Sequence, residues 1–433
     1  SYIFYDRIPG LENVYKKDNF YFRIDPFVFE HIDHYTKENM NLKGEFFAGN
    51  ILKPTRQFLI IQENNSLGFQ MIVPKEGIDL YEGKARIFDQ LSMSNRGLTG
   101  SGTLKHLTST TIAEDYRFFP DSMLTRAKTF NIARDEAGIF PEVASNDVDI
   151  KWLPGKDEWT ARNSKDSNFG MFANGTSLNG SMTLKPKQLS GSGIINTSDS
   201  RVVSNLYTFR SGTIHADTAD YNLKSPSTEG YAFIAENANT DMNFDTRLTR
   251  FRLNTDSSMV KFPEVQYICT MTDFEYNQAN RILSMEQKGE KSGTLMKSDN
   301  LLRVPLNGTD RPTFFATNSL KDTIAFASLS AKYHVDEEYI EAENINYIKV
   351  ADALIQPENG KVKISRRAVM EKLKNAVVAV NNLHLIHSAA IEIESSRRYT
   401  GSGVYDYTDE SNNVYQIKLS EIAVDTLTTN AKG

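Results

Sequence analysis

The chain has 433 residues, of which 39% are hydrophobic and 24% charged, with a net charge of −6. This composition is that of a folded chain, and it lacks the basic blocks that nucleic-acid binding or a polybasic membrane patch would need. With Cys269 as its one cysteine the chain makes no intrachain disulfide, which leaves the compartment open, and no apolar run is long enough to predict a membrane-spanning helix.

Taken in chain order, the sequence opens Ser1-Tyr2-Ile3-Phe4-Tyr5-Asp6, with neither an initiator Met nor a signal peptide, as a processed chain or an excised fragment would. His31 and His34, beside Glu30 and Asp33, are the densest group of metal-ligand residue types. A zinc site wants a second ligand pair, and none is evident, so a surface or interface role is expected. The glycine-rich Leu98-Thr99-Gly100-Ser101-Gly102-Thr103-Leu104 runs into strand-like sequence with no Gly-Lys-Ser/Thr ending, so a phosphate cradle is not expected. Related phrases recur as Leu189-Ser190-Gly191-Ser192-Gly193-Ile194-Ile195 and Tyr399-Thr400-Gly401-Ser402-Gly403-Val404-Tyr405.

A second echo is longer. Asp121-Ser122-Met123-Leu124-Thr125-Arg126 leads to Phe140-Pro141-Glu142-Val143, and Asp245-Thr246-Arg247-Leu248-Thr249-Arg250 leads to Phe262-Pro263-Glu264-Val265. Between these landmarks apolar and polar residues alternate, as in 208–217 and 243–253, which predicts strands with one wet face. Turn formers punctuate the runs at Asn174-Gly175, Asn179-Gly180, Ser225-Pro226, Asn307-Gly308 and Asn359-Gly360. The acidic turns 196–200 and 217–220 lack the spacing of a calcium loop, and Asx-turns account for them. Cys269, in Tyr267-Ile268-Cys269-Thr270, reads as a buried strand position. Residues 368–380 read either as the best helix candidate or as two short strands around Lys372-Leu373-Lys374-Asn375. His384 and His387 repeat the spacing of the earlier pair and carry the same expectation.

Repeats of a sheet-forming unit predict stacked β layers, with Gly at corners where the backbone bends or approaches closely. The expected fold is all-β: a repetitive solenoid or β-helix-like stack, irregular or with β-sandwich segments, and few helices. Soft boundaries fall near 90 and 266. They give an N-terminal segment 1–90, a repetitive region 91–265 with the first two Gly-Ser-Gly units, and a C-terminal region 266–433 with the third. No pair among the 55 acidic residues stands out, and no Gly-x-Ser-x-Gly elbow occurs. No catalytic, cofactor or metal residue is therefore assigned, and the chain is read as a non-enzyme.

Leu42-Lys43-Gly44-Glu45-Phe46-Phe47-Ala48-Gly49-Asn50-Ile51, Ser66-Leu67-Gly68-Phe69, Tyr81-Glu82-Gly83-Lys84-Ala85-Arg86-Ile87, 98–111 and Phe119-Pro120-Asp121-Ser122-Met123 together resemble a stretch of very long, poorly characterised Bacteroidota envelope proteins. The resemblance runs on to Tyr399 through Tyr407. It implies a repetitive β architecture, a longer parent chain and no particular activity. A weaker likeness, in Ser177-Leu178-Asn179-Gly180-Ser181-Met182-Thr183-Leu184 and 189–195, is to the lipid-conducting β-groove proteins of the bacterial envelope. Extracytoplasmic proteins of that phylum carry O-glycans at Asp-Ser/Thr followed by a small or apolar residue, which the resemblance places at Ser122, Thr218, Thr323 and Thr426. The expected role is a non-catalytic scaffold or binding component of an outer-membrane-associated assembly, in the periplasm or at the surface of a Gram-negative cell. Its partners would be envelope proteins or glycans, not nucleic acid. Two alternatives stand beside it: a polysaccharide-binding or polysaccharide-degrading β-helix, and a lipid-conducting groove.

Overall fold

A computed structural model describes residues 1–28, 40–62, 65–172, 175–255, 258–286, 313–381 and 383–424, together with the strands Met296–Ser298 and Leu301–Arg303. The fold is all-β and antiparallel: 62% of the chain is strand and 3% helix, with no helix of seven residues or more among the described residues. Residues divide into two compact units. The first comprises Ser1–Ser198 and Ser204–Ile214, and the second Asp199–Val203 and His215–Gly433. Residues 90 and 266 lie inside the first and second unit respectively.

Alternation makes the strands of the first unit. In Met123–Ile132, Met123, Thr125, Ala127, Phe130 and Ile132 point inward, while Leu124, Arg126 and Lys128 face water. Strands Gly97–His106, Ser109–Phe118, Met123–Ile132 and Val143–Leu153 form a meander, each pairing with the next. The long strands change partner along their length. Gly97–His106 pairs with Gln90–Ser94 through its first half and with Ala85–Ile87 through its last three residues. Val143–Leu153 likewise pairs with both Glu158–Asn163 and Phe169–Met171.

The Gly-Ser-Gly segments lie inside strands rather than at corners between them, in Gly97–His106, Gln188–Asn196 and Arg398–Thr408. Two copies share one device. A Cβ on Gly100 would sit 3.0 Å from the Phe118 ring, and one on Gly191 would sit 2.8 Å from the Phe209 ring. The second glycine leaves its carbonyl free for a tyrosine: Tyr116 donates to Gly102 O at 3.2 Å, and Tyr207 to Gly193 O at 3.2 Å. Both tyrosines follow their glycine by 14 residues. Gly193 has φ +127, and a Cβ there would meet Asn179 O at 2.2 Å. Asn179-Gly180, expected as a turn, is therefore mid-strand, because Gly180 and Gly193 face each other where no side chain fits.

In the second unit two pairing series leave the strand Tyr231–Asn243. One runs through Leu248–Leu253, Asp273–Asn277, Ile282–Glu286, Ser330–His334, Tyr339–Glu343 and Val362–Ser365. The other runs through Val260–Phe262, Tyr267–Cys269, Phe314–Ala316, Ala325–Phe326, Ile348–Val350, Ala353–Gln356 and Leu373–Val380. Along the described chain, hairpins fall alternately in one series and the other. Rings from the two series meet in the core: Phe262 packs edge-on against Tyr333 at 5.2 Å, and Phe233 lies 5.3–5.7 Å from Phe262, Phe251 and Phe274. Fully burying each such ring is worth about 1.5–3 kcal/mol, so this aromatic stack contributes heavily to holding the two series together.

Two local readings change, and a third stretch takes the strand reading of its two alternatives. The alternating stretch 208–217 contains a hairpin turn at 210–212, closed by Arg210 N donating to Thr213 O at 2.9 Å. The stretch 243–253 contains another, where Thr246 N donates to Asn243 Oδ1 and Arg247 takes φ 57. Residues 368–380 are strands, Val369–Met370 and Leu373–Val380, since β-branched Val377, Val378 and Val380 suit the pleat and the ladders on either side supply its hydrogen bonds.

Candidate binding faces

The Leu-Thr-Arg echo builds the same arrangement in each unit. In Met123–Ile132 the threonine points inward and its hydroxyl donates to Asp115 O at 2.9 Å, so Arg126 and Lys128 both face out. In Leu248–Leu253 the buried Thr249 leaves Arg250 and Arg252 facing out in the same way. The four cationic side chains are 64%, 64%, 69% and 67% exposed, so each dyad is presented to solvent. Each lies on a strand flanked by two others that carry acids. Asp147 and Asp149 stand on one side of Arg126 and Lys128, with Glu114 and Asp115 on the other. Glu275 and Asp273 lie opposite Arg250 and Arg252 on one side, and Asp241 and Asn239 on the other.

The pairs within each face are close. Arg126 holds Asp147 in a fork, Nε to Oδ1 at 2.6 Å and Nη2 to Oδ2 at 2.8 Å, while Lys128 pairs with Glu114. Arg126 keeps the Asp147 carboxyl at a pKa of about 2, well below its ordinary value. In the second unit Arg250 Nε meets Glu275 Oε2 at 2.8 Å. Asp241 also receives His215, whose Nδ1 lies 2.7 Å away, with Nε2 3.2 Å from Asp217. Burial pushes the His215 ring downward, yet the two carboxylates outweigh it and its pKa rises above the ordinary value. Exposed pairs of this kind are screened by solvent and add too little to be needed for folding. Depressions of about 590 Å³ and 400 Å³ open over the two faces, in the first and second unit respectively.

Buried polar groups in the second unit serve architecture instead. Asp199, 5% exposed, accepts from Tyr276 Oη at 2.6 Å. Arg366 bridges two acids, reaching Glu264 at 2.8 Å and the buried Glu338 at 3.1 Å. Thr228 donates to Glu264, and Ser225 and Ser227 donate to Glu338. Next to Arg366 the backbone is strained, with φ 57 at both Arg367 and Ala368, and it is pinned by Arg367 N to Glu264 O and Ala368 N to Val265 O. The second Phe-Pro-Glu-Val is thus a clamped turn. In the first copy Phe140 and Val143 are buried equally well, but Glu142 is exposed.

The residues singled out from sequence are dispersed. His31 and His34, with Glu30 and Asp33, lie outside the described residues, as does Thr426. His384 Nδ1 lies 3.2 Å from the Tyr405 hydroxyl, and His387 Nε2 lies 3.2 Å from Asp406 Oδ1, so each has its own partner. No group of three metal-ligand side chains forms among the described residues. Cys269 is fully buried in a strand, and burial pushes its thiol up to about 12. Thr218 and Thr323 are exposed, while Ser122 is half-buried at a hairpin turn with its hydroxyl donating to Asp121. Sequence reasoning missed the two cationic dyads, although the repeated Leu-Thr-Arg with a second cation two residues on was their signal. No described helix is long and apolar enough to cross a membrane. No protein family, curated protein or solved structure matches this chain.

Proposed function

We propose that the chain is a non-catalytic scaffold and binding component of a bacterial cell envelope, an elongated β-solenoid-like stack that works by extended surface contact in an outer-membrane-associated assembly. The observation that carries this reading is the recurrence, in both units, of an outward cationic dyad between acid-bearing strands. Exposed ion pairs add little stability, so their recurrence around open depressions favours recognition over folding. Extracytoplasmic placement and O-glycans at Ser122, Thr218, Thr323 and Thr426 belong to the same reading and rest on the resemblance in sequence. Exposure of Thr218 and Thr323 is compatible with modification, and the intact mass of protein from its native host reads it out.

The test is a pull-down of the tagged chain from detergent-solubilised host membranes, followed by mass spectrometry. Stoichiometric outer-membrane proteins are the expected result. A partnerless chain overturns the assembly reading.

A further inference from the structure

We infer that the free side of the strand Val414–Ala423 is a strand-accepting edge, and that its occupant is the segment 425–433 of the same chain, which lies outside the described residues.

The last hairpin repeats the first Gly-Ser-Gly hairpin in its backbone pairing. In Gly97–His106 and Ser109–Phe118, Gly102 lies opposite Ala113 and Gly100 opposite Tyr116, with Glu114 and Asp115 bulged between them. In Arg398–Thr408 and Val414–Ala423, Gly403 lies opposite Leu419 and Gly401 opposite Ile422, with Ser420 and Glu421 bulged in the same place. The surroundings differ. Met123–Ile132 closes the other side of Ser109–Phe118, and Ala113 and Tyr116 are buried. No described strand closes the other side of Val414–Ala423. There Leu419 and Ile422 are only half-buried, and Tyr415 and Ile417, on the same face, are 54% and 43% exposed. A ten-residue edge beside an uncovered apolar face is a template for a further strand.

Sequence names that strand. After the first hairpin come Asp121-Ser122-Met123-Leu124-Thr125-Arg126-Ala127-Lys128, and after the last come Asp425-Thr426-Leu427-Thr428-Thr429-Asn430-Ala431-Lys432. Asp, Thr, Ala and Lys recur at the first, fifth, seventh and eighth places, while the second and third keep a hydroxyl and a large apolar residue. The inward Met123, Thr125 and Ala127 thus have counterparts in Leu427, Thr429 and Ala431.

Register agrees with the alignment. Tyr116 lies opposite Thr125, and Ala113 opposite Ala127. Carried over to the last hairpin, these pairings set Thr429 opposite Ile422 and Ala431 opposite Leu419. Asp425 and Thr426 are then left as a two-residue hairpin turn after Val424. In the first copy Thr125 Oγ1 donates to the bulge carbonyl of Asp115 at 2.9 Å. Thr429 is placed to do the same for Glu421 O, so one ungapped alignment supplies the register, the turn and the bulge cap together.

The experiment is disulfide trapping in the full chain, where the buried Cys269 does not compete. Directly opposite residues of an antiparallel pair have Cα atoms about 4.5–5.5 Å apart, within the span of a disulfide. Under mild oxidation Ile422→Cys with Thr429→Cys should close a bond within one chain, read by peptide mass spectrometry. Ile422→Cys with Thr428→Cys, whose second thiol belongs to the opposite face, should stay reduced over the same time. Amide exchange provides a reading that needs no introduced cysteine. Thr429→Pro should speed exchange across 414–424 relative to the parent chain and leave 97–118 unchanged. The inference is overturned if the first cysteine pair stays open, if the second closes as readily, or if Thr429→Pro leaves exchange across 414–424 as it was. A bond between two chains, with exchange across 414–424 slowing as chain concentration rises, also overturns it, because a second copy would then hold the edge.

Discussion

His106 shows how a single side chain can tie the first unit to pH. It lies stacked on Trp159, with ring centres 5.1 Å apart, and beside Trp152 at 4.9 Å; its Nδ1–H donates to Lys84 O at 2.9 Å. Burial pushes its pKa below the ordinary 6.5, an effect that the Lys84 carbonyl only partly opposes. Above pH 6.5 the ring is neutral in folded and unfolded chains alike. As pH falls through that value the unfolded chain takes up a proton that the folded one refuses, so stability is lost until the folded pKa is reached and stays flat below it. His106→Phe keeps a ring in the stack and removes the titration. The variant should therefore lose less melting temperature than the parent between pH 7 and pH 5, as read by circular dichroism. Equal losses would show that His106 is not the proton-linked group.

At the scale of elements, the Gly-Ser-Gly phrase is informative because its two glycines do different things. One clears space for a phenylalanine ring and the other bares a carbonyl for a tyrosine 14 residues later. Gly193→Ala combines a left-handed φ with a 2.2 Å approach to Asn179 O, and it should cost at least about 2 kcal/mol. Gly155, with open space around it and no left-handed backbone, is the control, and Gly155→Ala should leave the denaturation midpoint nearly unchanged. Comparable midpoints for the two variants would remove the strain argument. Much of this level was legible from sequence. The strand period is visible throughout, and Cys269 sits in a strand as its neighbours indicated. Turns were harder, because alternation continues straight across the hairpins at 210–212 and 244–247, where polar turn residues imitate the wet face of a strand. The reverse error occurred at Asn179-Gly180, where a turn-like pair serves close backbone approach instead. The cationic dyads went unread since nothing in sequence tells which acids the ladder will bring beside them.

For the molecule as a whole, the boundary between compact units falls at 198–215, inside the strands Ser200–Phe209 and Thr213–Lys224, where no Pro- or Gly-rich linker marks it. Sequence reasoning looks for domain boundaries in composition, and a boundary inside a strand leaves none. Each unit has its own aromatic core, around Trp152 and Trp159 in one and around Phe233, Phe251 and Phe262 in the other. Two cores predict that heat unfolding is not a single two-state event: the calorimetric enthalpy should exceed the van't Hoff enthalpy. A ratio of one would show that the two units melt as one cooperative body.

The alternation of hairpins between the two series of the second unit bears on how that unit is made. All-β proteins fold slowly when strands distant in sequence must find each other, because long loops have to close before any contact rewards them. Here many ladders join neighbouring or near-neighbouring strands, as in Ile348–Val350 with Ala353–Gln356 and His384–Ser395 with Arg398–Thr408. Each hairpin can close locally and then pair with the hairpin two before it in its own series. The unit is thus suited to grow hairpin by hairpin, while the ladders of Tyr267–Cys269 with Phe314–Ala316 and of Ile282–Glu286 with Ser330–His334 must wait for longer closures.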